Sequence, residues 1–179
     1  MVAVTDMLDI AGQPALVMEF VDGPSLADFL RDSRPTRDQI DQIARGLMAG
    51  VGAAHEAGLV HRDLKPANVL LAVEDGQLIP KVADFGIARL LDPDGGTGPG
   101  LTRTGALMGT PSYMSPEQIR DARHIDHRAD VWALGCILYE MITGSRAFVG
   151  EDNGEILTAV LTGDVTLPRA KDYDVPACW

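Results

Sequence analysis

The residue pattern predicts an α+β fold, mainly helical, with short strand pairs carried on loops. Three observations lead there. Ile40, Ile43, Leu47, Val51 and Ala54 recur at steps of three and four, the apolar stripe of an amphipathic helix. Val131, Trp132, Leu134, Ile137, Leu138, Met141 and Ile142 lie nearly all round the segment 128–144, the pattern of a buried central helix. Short apolar runs at 2–5, 15–21, 69–72 and 78–83 alternate with turn residues and read as strands.

The elements follow in order. Segments 2–5 and 15–21 are predicted strands, joined through the turn residues of 9–14, and Asp22-Gly23-Pro24 ends the second. Ser25 with Asp28 three residues on predicts a short helix to about Leu30. Thr36 as N-cap and Gln39 at the third helical position start the striped helix, which ends near His55 to Gly58. The runs 69–72 and 78–83 form a hairpin about Glu74-Asp75-Gly76. Segment 92–100 holds Gly95, Gly96, Gly98 and Gly100 with Pro93 and Pro99, a composition for a mobile loop. The central helix follows, and 156–161 suggests one more. No internal repeat is visible.

Composition limits the partners. Lys+Arg is 15 against Asp+Glu 26, a net charge of −11, which disfavours nucleic acid or an anionic membrane as main partner. No apolar run reaches the roughly 18 residues of a membrane span, and no leader pattern follows Met1. Cys136 and Cys178 make neither a disulfide framework nor a metal cluster. A cytoplasmic location is expected. The ratio of 12 arginines to 3 lysines suggests a GC-rich bacterial genome.

Four motifs carry the chemistry: His61-Arg-Asp-Leu-Lys-Pro-Ala-Asn68, Asp84-Phe-Gly86, Gly109-Thr-Pro-Ser-Tyr-Met-Ser-Pro-Glu117 and Asp130-Val-Trp-Ala-Leu-Gly135. A lone Asp-Phe-Gly is weak, but all four in this order and spacing are specific. The chain resembles the bacterial eukaryotic-like (Hanks-type) serine/threonine protein kinases over essentially its whole length. The resemblance implies a protein-kinase-like fold in one partial domain, 1–179. Residues 1–22 would be the last two strands of the small lobe and the hinge, and 23–179 an incomplete, mainly helical C-terminal lobe.

The implied activity is transfer of the ATP γ-phosphoryl group to Ser/Thr hydroxyls of proteins, with Mg²⁺. That reaction needs positioning and charge neutralisation more than covalent chemistry. Asp63 would orient the substrate hydroxyl and accept its proton, and Lys65 would steady the transferring phosphoryl. Asn68 and Asp84 offer hard oxygens to Mg²⁺. Thr110 would hydrogen-bond near Asp63 and Lys65. The Asp-Leu-Lys-Pro-Ala-Asn and Gly-Thr-Pro-Ser-Tyr forms resemble the Ser/Thr type, not the tyrosine type. By the same resemblance Met18 stands behind the adenine and Glu19 and Val21 present hinge backbone groups. Ser25 lies near the ribose, and Leu70 forms the apolar floor. His61 packs on Phe85. Arg62 meets a phosphorylated activation loop, with Thr102 and Thr104 as the phosphate acceptors or simply loop threonines. Asp130 accepts backbone N–H groups of the catalytic loop, Trp132 and Gly135 pack, and Glu117 pairs with an arginine near the domain's end.

Two departures set further expectations. Nothing before His61 reads as a Gly-rich phosphate loop, and Thr5 stands where a strand lysine would be needed, so the N-terminal part of the small lobe and the final helices are expected to be missing. Glu117, partly buried without its arginine, would cost roughly 3–5 kcal/mol. The chain alone is then expected to be marginally stable and weak or inactive in transfer. The alternative is a non-catalytic kinase-like module that docks a partner kinase chain or a protein substrate.

Overall fold

The computed structural model describes residues 1–85, 111–121 and 125–165. The chain opens with an antiparallel hairpin, β1 (Val4–Ile10) and β2 (Gln13–Met18). Its turn is Ala11-Gly12, both left-handed at φ 55° and 82°, and the Asp9 carboxylate accepts the Gly12 N–H at 2.7 Å. The first strand therefore starts later than residues 2–5 and runs on through Asp6 and Asp9. Every residue of β1 is exposed, so no buried face forbids those carboxylates. The hairpin is tied to the rest of the chain where Val2 donates its N–H to the Val82 carbonyl at 2.8 Å.

Helix α1 (Leu26–Asp32) is capped by Ser25, whose hydroxyl accepts the Asp28 N–H and donates to the Asp28 carboxylate. It continues two residues past Leu30, with Ser33 closing it on the Phe29 carbonyl. Helix α2 (Arg37–Glu56) begins with a complete capping box between Thr36 and Gln39. All five predicted stripe residues, Ile40, Ile43, Leu47, Val51 and Ala54, are buried. A second hairpin follows, β3 (Val69–Glu74) and β4 (Gln77–Val82), turning at Asp75-Gly76. α2 lies across β4 so closely that a methyl group at Gly46 would sit 2.5 Å from the Pro80 ring.

Beyond these come a short helix α3 (Pro116–Arg120), the long α4 (Arg128–Thr143) and α5 (Asn153–Thr162). The main core joins α2, the β3–β4 hairpin and α4 through Ile43, Leu47, Val69, Leu71, Val82 and Ile137. A second cluster holds Cys136, Phe148, Ile156 and Val160, with Trp132 stacked on Phe148 at 5.5 Å between ring centres. Burial pushes the Cys136 thiol up to about 12, so it stays protonated and acts as a small apolar side chain.

α4 is central but not enclosed. Val131 is 56% exposed, and Gly135 is exposed with nothing within 4 Å of an added methyl, so Trp132 packs while Gly135 does not. The buried side of α4 carries a carboxylate, Asp130, that the apolar pattern does not announce. Among the described residues no helix is long and apolar enough to cross a membrane.

Candidate active site

The loop 61–68 leaves the end of α2 and feeds β3. Its alternation places it. Leu64 (2% exposed) and Pro66 are buried and anchor the loop in the core, while Asp63 and Lys65 between and beside them point outward. The carboxylate of Asp63 is therefore accessible without being adrift. Lys65 Nζ lies 2.6 Å from Asp63 Oδ2, and the Asn68 amide donates to the Asp63 carbonyl at 2.8 Å. That bond commits the Asn68 nitrogen and leaves Oδ1, the harder ligand atom, for a cation.

The β3–β4 hairpin brings the next motif alongside. Val69 pairs with Val82, and the ladder extends one step further where Ala83 donates its N–H to the Asn68 carbonyl at 2.8 Å. Asp84 follows at once, exposed, with φ 63°. Aspartate is one of the few non-glycine residues that accepts this left-handed region. Two oxygen donors, separated by sixteen residues in the chain, thus emerge from one end of one hairpin.

The loop's backbone is held from below by Asp130, which is 1% exposed. Its Oδ2 accepts the His61 N–H at 2.8 Å and faces His55 Nε2 at 2.7 Å, and its Oδ1 accepts the Arg62 N–H at 2.8 Å. The carboxylate can only accept, so His55 carries its proton on Nε2. Arg62 sits at φ 68°, a conformation that costs about 1–3 kcal/mol for such a residue and persists only where the surroundings enforce it. His61 is buried. Its Nδ1 accepts the Asp63 N–H at 3.2 Å, which makes Nε2 the donor to the Ala83 carbonyl at 2.8 Å. Its ring meets Phe85 edge-on at 4.7 Å.

The residues expected around a nucleotide lie along the segment that joins the first hairpin to α1. Met18 ends β2, half-exposed, and Val21 is buried. The Glu19 N–H is donated to the Ala3 carbonyl, and its carboxylate accepts from Ala3 N–H and Lys81 Nζ, both at 2.8 Å. These bonds hold the Glu19 carboxyl below, and the Lys81 ammonium above, their usual ranges. Ser25 bridges Leu70 of β3, and its hydroxyl is already engaged in capping α1.

Gly86, Thr102, Thr104, Thr110 and Cys178 lie outside the described residues. Glu117 is exposed on the first turn of α3, so the expected cost of a partly buried, unpaired carboxylate does not arise. Three contributors escaped the sequence reading. His55 supports Asp130. Gln118 donates from Nε2 to the Arg62 carbonyl at 2.6 Å. Tyr113 donates its hydroxyl to Glu140 at 2.5 Å, and burial together with that carboxylate pushes the phenol well above its usual range. His55 had a faint signal, a histidine in the last turn of α2 just ahead of the loop. Tyr113 lies in the motif that ends at Glu117, but neither it nor Gln118 announced its partner in the sequence.

A family model for the protein kinase domain matches residues 1–176. The chain is 39% identical over 171 residues to serine/threonine-protein kinase PknL of Mycobacterium tuberculosis, covering 95% of this chain and 40% of that protein. It is 41% identical over 155 residues to serine/threonine-protein kinase PkaA of Streptomyces coelicolor, covering 86% and 27%. To serine/threonine-protein kinase PknB of Mycolicibacterium smegmatis it is 39% identical over 164 residues, covering 90% and 25%. The chain thus spans two fifths or less of the length of these relatives. A loop carrying Asp63, Lys65 and Asn68, braced by a buried aspartate on the central helix and joined through one hairpin to Asp84, agrees with that match, and the chain belongs to the protein kinase domain family.

Proposed function

We propose that this chain is the part of a serine/threonine protein kinase that positions a protein hydroxyl against the γ-phosphoryl group of ATP. The observation that carries the reading is the Asp63–Lys65–Asn68 network, one accessible carboxylate held by an ammonium and an amide on a loop whose backbone is anchored from beneath. Residues 1–22 serve as the end of a small lobe and the hinge, and the residues after them as the large lobe. Met18, Glu19, Val21 and Leu70 line the adenine side. Glu19 has spent its N–H on Ala3 and offers the carbonyl, and Ser25 borders the ribose as a helix cap.

The chemistry follows from the groups. Asp63 orients the attacking Ser/Thr hydroxyl and takes its proton as the oxygen–phosphorus bond forms and the bond from the γ-phosphorus to the bridging oxygen of ADP breaks, with ADP leaving. Lys65, ion-paired to Asp63, can turn its charge to the phosphoryl oxygens as negative charge spreads over them. Asn68 and Asp84 suit Mg²⁺, which is held by few protein oxygens alongside phosphate oxygens and water. When bound, the ion neutralises phosphate charge. Arg62 stands as the partner for a phosphate on Thr102 or Thr104. The substrates are proteins, and the location follows the ATP supply, the cytoplasm.

The test follows γ-phosphate from Mg-ATP to peptides carrying Ser, Thr or Tyr. Slow transfer, to Ser and Thr only, is expected of this chain, and Asp63→Asn should lower kcat by about 10²–10⁴-fold. Asp84→Ala should weaken binding of Mg-ATP by calorimetry more than binding of metal-free ATP. Absence of transfer to any hydroxyl, with nucleotide binding indifferent to Mg²⁺, would overturn the proposal.

A further inference from the structure

We infer that Gln118 is a positioning residue for the phosphoryl-transfer loop: its side-chain amide clamps the Arg62 carbonyl and thereby fixes the peptide plane that aims Asp63. The inference rests on the kinase reading for its meaning, but its geometry is independent of it.

Both ends of the Gln118 amide are committed. Oε1 accepts the Ser115 N–H at 3.0 Å, completing the capping box of α3, and Nε2 donates to the Arg62 carbonyl at 2.6 Å. A flipped amide would set oxygen against carbonyl oxygen and nitrogen against N–H, so this orientation is the only satisfied one. The receiving carbonyl is no ordinary loop carbonyl. Arg62 is left-handed at φ 68°, and its N–H is already fixed by Asp130. The peptide between Arg62 and Asp63 is then gripped on both edges: its oxygen by Gln118, its N–H by His61 Nδ1 at 3.2 Å. The direction in which Asp63 leaves the backbone is set by that plane. Asp130 and His61 hold the loop from the core side. Gln118 holds it from α3, and it lines a small cavity with Asp63, Lys65 and Tyr113. It therefore couples the segment 111–118 to the angle of the proposed base.

The discriminating variant is Gln118→Glu in the full 179-residue chain. It keeps the acceptor that caps α3 and removes the donor to Arg62. Two readouts are taken, amide hydrogen exchange at Arg62 and Asp63 by NMR, and the kinetics of transfer. Exchange at both amides should accelerate about tenfold, and the melting temperature should fall by about 2–4 °C, as one structural hydrogen bond is lost. Where transfer is measurable, kcat should fall about tenfold while KM for ATP moves less than about twofold. Ser115→Ala weakens the same cap but leaves the clamp, and should not alter exchange at Arg62. Gln118→Met, of similar volume and without the donor, carries the test if the glutamate variant does not fold. Wild-type exchange rates and kcat in the donor-free variants would overturn the inference, as would equal acceleration in Ser115→Ala. A wild-type chain without transfer would count against the kinase reading alone, and the exchange arm would still decide the role of Gln118.

Discussion

Asp130 accepts three hydrogen bonds at 1% exposure, two of them from the backbone of the loop 61–68. Truncation to Ala leaves the His61 and Arg62 N–H groups facing a void. Each unsatisfied buried donor costs about 1–3 kcal/mol, so Asp130→Ala should lose roughly 2–5 kcal/mol in denaturant titration. Arg62 would at the same time lose one of the two grips that enforce its strained φ. A loss under about 1 kcal/mol would mean that water satisfies these donors. Asp63 differs in kind: it is half-exposed and supports nothing in the core, so Asp63→Asn should leave the melt unchanged while removing activity.

At the scale of elements, the approach of one segment to another decides the site. The segment that follows β2 runs against β3 with Pro24 accepting the Leu71 N–H at 2.9 Å. At Gly23 a methyl group would sit 1.9 Å from the Leu71 carbonyl oxygen. Gly23→Ala must push this segment away from the strand that floors the proposed adenine site. A loss of about 1–3 kcal/mol is expected, as for other overpacked contacts, together with weaker nucleotide binding. Gly52 offers the contrast. It lies within α2 with nothing within 4 Å of an added methyl, so Gly52→Ala should be neutral or stabilise by up to about 1 kcal/mol. Equal melts for the two variants would contradict the packing.

Across the whole molecule stability is uneven. The β1–β2 hairpin exposes every residue of β1, including Val4, Met7 and Ile10 above half their surface, and two strands alone are marginal in water. Its moorings are the Val2–Val82 bond and the Glu19–Lys81 ion pair. Its amides should therefore exchange far faster than those of the buried face of α2. The moorings also carry a pH sign. Glu19 is held below its ordinary range, so its contribution is present above the unfolded carboxylate pKa and is lost as pH falls through the lowered folded value. Lys81 is raised, so its contribution is present below the unfolded lysine pKa and lost only as pH rises through the folded value. Hairpin protection should be flat near neutrality and fall first on the acid side. Lys81→Met should flatten the acid limb.

What the sequence by itself determined is local or chemical in origin. Thr36 with Gln39, Ser25 with Asp28, the stripe from Ile40 to Ala54 and the Asp75-Gly76 turn involve residues one to four apart, and such patterns stay legible because the interacting groups are chain neighbours. The loop 61–68 was legible as a motif, with Asp63, Lys65 and Asn68 within six residues of one another, whereas the burial of Leu64 and Pro66 that anchors it was not. Tertiary structure alone decided the rest. Where β1 begins depended on no other element covering it. Whether Glu117 is buried depended on what packs over α3, and its own neighbours do not say. Gln118 meets Arg62 across 56 residues, and His55 meets Asp130 across 75. A glutamine at the third position of a helix reads only as half of a capping box until folding brings a strained carbonyl within reach of its other end.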